Sequence, residues 1–168
     1  MRKHSFAPIA DRNACVLILG SMPGDASLRA GEYYAHPRNH FWRLMGTLIG
    51  FDPGLPYAER VQALKSAGVA LWDVLHSCTR EGSLDVNIDH ATLNDFRTFF
   101  AQHKNIAHVF FNGSAAEQLY RREVLPVLNR PQIEYQRLPS TSPANASYSF
   151  ERKLEAWRAL LRCDQDTG

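Results

Sequence analysis

Apolar residues gather in four short runs along the chain, and the stretches between them carry apolar positions at helical spacing. Ala14–Leu19 (ACVLIL) is apolar throughout, as a strand covered on both faces requires. Val69–Leu75 (VALWDVL) follows Gly68 and repeats the pattern with one acidic residue inside it. Ile106–Phe111 (IAHVFF) is the third run and ends at Asn112-Gly113, and Ile133–Leu138 (IEYQRL) is a weaker, alternating fourth that ends at Pro139-Ser140. Between them the spacing predicts helices. Asn39–Leu48 carries Phe41, Trp42, Met45 and Leu48 on one side, and Tyr57–Ala67 stops at Gly68, a fitting helix end. Thr92–Gln102 aligns Leu93, Phe96 and Phe100, and Ser114–Arg122 opens with a candidate serine cap. A last helix over 148–162 spaces Phe150, Leu154, Trp157 and Leu161, with Asn145 or Ser147 as its candidate cap.

Strands alternating with helices predict an α/β fold, a three-layer α/β/α sandwich around a four-stranded parallel sheet. No repeat or linker interrupts the pattern, and Gly82-Ser83-Leu84-Asp85 reads as a loop inside one domain spanning 1–168. In such a sheet the ligand crevice lies beyond the carboxyl ends of the strands. Those ends are Gly20–Gly24, Asp73–Ser77, Asn112–Ser114 and Pro139–Asn145, all polar or rich in turn residues.

Composition narrows the function classes. A chain of 168 residues, 45% of them hydrophobic, suffices for one domain with a core. A formal charge of +2 does not by itself advertise nucleic acid. Of the 19 cations 15 are arginine, which suits bidentate phosphate contacts but also accompanies GC-rich coding sequence. Cys15, Cys78 and Cys163 lie far apart without a CxxC pair, which argues against zinc, iron–sulfur and disulfide frameworks. The start, MRKHSFAPIADRN, has no apolar core of a leader, and no apolar run approaches a membrane span, so a cytoplasmic protein without membrane partner is expected.

The chemistry concentrates in two segments. The turn Gly20-Ser21-Met22-Pro23-Gly24 lets backbone amides approach a ligand, yet it lacks the GxGxxG and GxxxxGK[ST] patterns of dinucleotide and ATP sites. After it, Tyr34-Ala35-His36-Pro37-Arg38-Asn39-His40-Phe41-Trp42 offers ring faces, an amide and cations, a combination suited to a planar base on a phosphodiester chain. Asn39 reads equally as the cap of the helix it precedes. His36 before proline reads as a loop-fixing group. Asp73 sits inside an apolar strand, where a charge must be paired, hydrogen-bonded or functional, and Asn112 is similarly placed. Residues 138–146 (LPSTSPANA) form a stiff loop of prolines and small hydroxyl residues, able to press on a DNA backbone or simply to join strand to helix. A Ser21/His36/Asp73 triad lacks the GxSxG elbow that would support it.

With GSMPG (20–24) before YAHPRNHFW (34–42) and LPSTSPANA (138–146) after the last strand, the chain resembles the uracil-DNA glycosylase superfamily. LWDVL (71–75) and FFNGSAA (110–116) bring it nearest to the hypoxanthine-DNA (DNA-deoxyinosine) glycosylase branch, over residues 13 to 160. The resemblance implies hydrolysis of the N-glycosidic bond of a deaminated base, hypoxanthine first, in double- or single-stranded DNA. It implies an abasic product and no metal, cofactor or obligate protein partner. It puts Asn39 and Ser140 in catalysis, and Tyr34 as the stacking ring. Asp73, Ser21, Met22 and Asn112 become base contacts, and Gly24, His36, Arg38, Ser142, Pro143, Ala144 and Asn145 become DNA contacts. Two departures stand out: Met22 replaces the water-handling Asp or Asn of most branches, and Ser140 replaces the His or Asn that opens the second motif in several. Without a lysine in either motif, a lyase step is not expected. The alternatives are uracil or mismatch-specific uracil excision, a non-catalytic nucleic-acid-binding member of the fold, and a small nucleotide hydrolase.

Overall fold

Val16–Gly20 (β2) is buried at every position because it lies between two neighbouring strands and both of its faces are covered by helices. The computed structural model describes residues 2–162, so Cys163 lies outside the described residues. β2 pairs in parallel with β3 (Val69–Asp73) on one side and β6 (His108–Asn112) on the other, and β7 (Glu134–Leu138) completes the sheet in the order β3-β2-β6-β7. The four strands predicted from the apolar runs are those four. β7 alternates in sequence because it is an edge strand, exposed along much of its length. The other edge, β3, is covered where Ile9 exchanges both backbone hydrogen bonds with Leu71 at 2.8 Å.

Side chains alternate between the two faces of the sheet. Ile18, Leu71 and Phe110 pack against Phe41, Trp42, Leu44 and Trp157, from α2 (Phe41–Met45) and α6 (Phe150–Trp157), with α3 (Tyr57–Ser66) and α7 (Ala159–Arg162) on the same side. Leu17, Leu19, Ala70 and Val109 meet Phe96, Phe99, Phe100 and Tyr120, where α4 (Phe96–Gln102) and α5 (Ser114–Leu119) form the opposite layer. The three-layer expectation therefore holds.

Several boundaries differ, each for a local reason. Val69–Leu75 is not one strand: after Asp73 the backbone leaves the sheet, with Val74 and Leu75 donating to the carbonyls of Gly20 and Ser21. It then enters β4 (Leu75–Thr79), the middle of a three-stranded antiparallel sheet with β1 (Arg2–His4) and β5 (Asp89–Leu93). β5 is exposed at every residue, so no apolar pattern announces it, and Thr92 and Leu93 belong to it rather than to a helix. Asp95 caps α4 instead, accepting from the Thr98 amide at 3.0 Å. Ser114 does not cap α5, since Gly113 holds that position at φ 95. Ser149, rather than Asn145 or Ser147, caps α6 through the Arg152 amide. A break at Arg158 shifts the phase of the terminal helix, so Leu160 is buried and Leu161 is exposed. The short helix α1 (Asp25–Ala30) escapes the sequence because only Ser27 on it is buried.

Candidate active site

The carboxyl ends of β2, β3 and β6 and the loop after β7 surround one cavity of about 170 Å³. It is lined by residues 20–27 and by Tyr33, Tyr34, His36, Asn39, Asp73, Ser83, Asp85, Asn112 and residues 140–143. The two segments separated by a hundred residues of sequence thus meet. The backbone fastens them: the His40 amide donates to the Thr141 carbonyl at 3.0 Å, and Trp157 Nε1 pins the Pro139 carbonyl at 2.9 Å. Cavities for drug-sized ligands start at roughly 300 Å³, so this one suits a single base better than a whole nucleotide.

Asp73 forms the floor. It ends β3 opposite Gly20 in register, and it is 3% exposed. No hydrogen-bond donor reaches its Oδ2 among the described residues. Burial, reinforced by the Asp85 carboxylate and opposed by the Arg80 guanidinium, pushes its pKa up to about 7. A buried acceptor without a partner is costly unless something else supplies the donor. Gly20 makes room for it, since a Cβ there would sit 2.5 Å from Asp73 Oδ1 and 3.0 Å from the Tyr34 hydroxyl. Gly20→Ala is therefore expected to displace the Asp73 carboxyl, costing about 1–3 kcal/mol of stability by overpacking and abolishing base recognition. Thermal denaturation and a base-release assay check the two effects separately.

Tyr34 holds a left-handed backbone conformation (φ 54), rare for a residue with a side chain and frequent where a site over-determines the backbone. Its ring packs on Phe41 with centroids 4.2 Å apart. Its hydroxyl is buried beside Asp73, and both desolvation and that carboxyl hold the phenol protonated. Asn112 lies close enough to favour the opposite form, but no hydrogen bond of ordinary geometry joins the two.

Asn39 lines the cavity half-buried, just before α2. His40, not Asn39, holds the N-cap position of α2, but the Asn39 Oδ1 accepts from the first helical amide, that of Phe41, at 2.9 Å from one residue further out. The cap consumes one lone pair and fixes which end of the amide points where. The Nδ2 donors make no hydrogen bond with the described residues and remain for a ligand.

The remaining sequence-predicted residues divide by what already occupies them. Ser21 is buried and donates to Asp85 Oδ1 at 2.6 Å. Met22 also lines the cavity and packs with Leu75 and Cys78 in a small apolar cluster. Asn112 reaches the cavity, but both halves of its amide are tied to Thr141: Oδ1 accepts from the amide at 2.9 Å and Nδ2 donates to the hydroxyl at 3.0 Å. Asn112→Ala leaves the buried Thr141 groups unmatched and is expected to cost about 1–3 kcal/mol, measurable as a shift of the urea midpoint. His36 Nδ1 accepts from the Arg38 amide at 3.1 Å, a loop-fixing contact. Arg38 is exposed and lies outside the cavity wall.

Ser140 Oγ accepts from the Ser142 amide at 3.2 Å, and Ser142 Oγ from the Ala144 amide at 3.1 Å, which leaves both hydroxyl protons free to donate. Asn145 Nδ2 donates back to the Ser140 carbonyl at 3.1 Å. Gly24 and Pro143 line the cavity, while Ala144 and Asn145 line a groove beside it.

Three contributors lacked a usable sequence signal. Asp85 and Ser83 come from the loop between β4 and β5, whose sequence reads only as a connection. Thr141, 1% exposed, clamps the second loop from inside. Among the described residues, no three His, Cys, Asp or Glu side chains gather as metal ligands, and no helix is long and apolar enough to cross a membrane.

Comparison with known proteins bears on this geometry. The family model of the uracil DNA glycosylase superfamily matches residues 7–161. The chain is 40% identical over 163 residues to a protein named hypoxanthine DNA glycosylase from Methanosarcina barkeri, covering 96% of this chain and 99% of that one. A protein of the same name from Methanosarcina acetivorans is 37% identical over the same share of each chain. A solution NMR structure of an M. acetivorans protein, assigned provisionally as a uracil DNA glycosylase, superposes with a TM-score of 0.82 at 37% identity, over 96% of this chain and 98% of that one.

Proposed function

Since the chain belongs to the uracil DNA glycosylase superfamily and is a DNA N-glycosylase, we propose that it releases hypoxanthine from DNA as a single monofunctional domain. The observation that carries this reading is the Asp73 carboxyl, buried at the cavity floor with an oxygen lacking any donor. Hypoxanthine presents an N1–H beside its O6 carbonyl, whereas adenine presents a bare N1 lone pair. A carboxylate accepts from the first and repels the second, the kind of discrimination that buried polar groups provide.

The reaction breaks the bond between C1′ and the base nitrogen. Water supplies the oxygen that joins C1′, and its proton balances the charge left on the departing base. The sugar passes through an oxocarbenium-like state, as in glycoside cleavage generally. Such a state needs a positioned water and a stabilised leaving group more than a strong base.

Asn39 Nδ2 donates to the departing purine, while its Oδ1, held by the Phe41 amide, keeps one lone pair toward water. The remaining lone pair of the Ser140 hydroxyl accepts from the water, or its proton is given to a sugar oxygen. The Tyr34 ring stacks on the base, and the backbone amides of the turn at 20–24 meet its carbonyl. Ser142, Pro143, Ala144 and Asn145, with His36, Arg38 and Gly24, form the rim against the phosphodiester chain of a duplex from which the nucleotide is extruded.

Uracil presents the same N–H beside a carbonyl, so Asp73 alone does not rank the two bases. The test is incubation with duplexes containing inosine, uracil, xanthine or adenine at one position, followed by alkaline strand cleavage. Strand breaks are expected with inosine foremost and none with adenine. Breaks at uracil alone would reassign the substrate, and binding without breaks in any duplex would make the chain a non-catalytic DNA reader.

A further inference from the structure

Turning a nucleotide out of a duplex costs unstacking and leaves a gap in the stack, and proteins that distort a duplex frequently drive bulky apolar side chains between base steps. Residues 140–147 read STSPANAS and contain no aliphatic side chain larger than proline. The opposite lip of the cavity is different. There the loop joining β4 to β5 raises Leu84, 55% exposed, and Val86, 88% exposed, while Ser83 and Asp85 line the cavity itself.

This loop is anchored at its base. Arg80, itself buried, donates to the Gly82 carbonyl at 3.1 Å and to the Pro23 carbonyl, and its Nη1 lies 3.7 Å from Asp85. Lys3 holds the Gly82 carbonyl at 2.8 Å and Asp25 at 2.6 Å, Ser83 accepts from the Asp25 amide at 2.8 Å, and Asp85 takes the Ser21 hydroxyl. Arg80, Ser83 and Asp85 tie down and Ile88 packs on Met22, Leu75 and Cys78, while Leu84 and Val86 stand clear. Leu84 also forms one wall of a groove that runs from the cavity past Ser140 and Ser142 to Arg137 and Tyr148.

We propose that this loop is a duplex-inserting finger: Leu84 and Val86 enter the base stack of DNA beside the extruded nucleotide whose base the cavity holds, and the groove carries the adjoining strand. Solvent-exposed branched aliphatic side chains on an anchored tip gain burial only when such a partner arrives, and stacked bases next to an extruded nucleotide are the apolar surface nearest that tip. The inference rests on the reading of the cavity as a seat for an extruded nucleotide, and its test does not require cleavage.

A duplex carrying a stable tetrahydrofuran abasic analogue opposite 2-aminopurine reports unstacking as a rise in fluorescence. The wild-type protein is expected to raise it at saturation, and the Leu84→Ala/Val86→Ala double variant to lose most of that rise with its thermal midpoint preserved. Single-turnover release from an inosine duplex is expected to fall about tenfold or more in the double variant, the scale of one lost unstacking contribution. An undiminished fluorescence rise together with an undiminished release rate would overturn the finger. No inosine release by the wild type, with the fluorescence difference intact, would instead sink the substrate reading and leave the finger standing.

Discussion

Replacing Asn39 with alanine is expected to lower single-turnover base release from an inosine duplex by about two to three orders of magnitude, the range seen when one preorganised donor is removed. The fold should survive. The lost cap on the Phe41 amide is worth about 1 kcal/mol, which moves the midpoint of a domain this size by only about 2–4 °C. Asn39→Asp separates the two jobs of the side chain. Aspartate still accepts from the Phe41 amide and can still hold a water, but it has no N–H to give to a departing base. Release as slow as in Asn39→Ala places the donor at the leaving group. Release near the wild-type rate would assign Asn39 to the water instead.

Asp73→Asn is expected to collapse the preference for hypoxanthine over adenine, because the amide offers both a donor and an acceptor where the carboxylate offered acceptors alone. The pH dependence has a definite sign. Folding lifts the Asp73 pKa from 3.8 to about 7, chiefly by burial. Its carboxylate, the form that accepts N1–H, therefore accumulates as pH rises through that value. Hypoxanthine release by the wild type should climb over the same range, and the variant should lose that limb of the profile.

Stability runs the other way. A group with a raised folded pKa stabilises most below its unfolded value, and that contribution disappears as pH rises through the folded value. Asp73→Asn should accordingly unfold at a higher temperature than wild type near pH 8, with the gap narrowing toward pH 4. A pH-independent wild-type rate and an unaltered base preference in the variant would remove Asp73 from recognition.

The sheet was legible in the sequence because three of its four strands are buried and their apolar runs are short and bounded, while the exposed edge strand β7 shows only as a weaker alternation. Leu17 and Ile18 face opposite layers, and both are fully buried. The second sheet was not legible. β5 has no covered face, so its residues obey no period that burial imposes. The same cause hid the far wall of the site. Asp85 is exposed and lies in a loop without periodic pattern, and its place beside Ser21 follows from Arg80 and Lys3 holding that loop down. Asn39 and Asp73 could be singled out because each is a polar residue where the local pattern asks for something else. Asn112 could too, yet the amide that seemed free to read a base is occupied by Thr141.

The central claim is that the cavity between the two loops seats an extruded deaminated purine. A crystal structure of the Asn39→Ala protein on an inosine-containing duplex tests it most directly. The expected result is hypoxanthine inside that cavity, its N1–H on the Asp73 carboxyl and its ring against Tyr34. Inosine still stacked in the helix, or bound elsewhere with the cavity open, would contradict it.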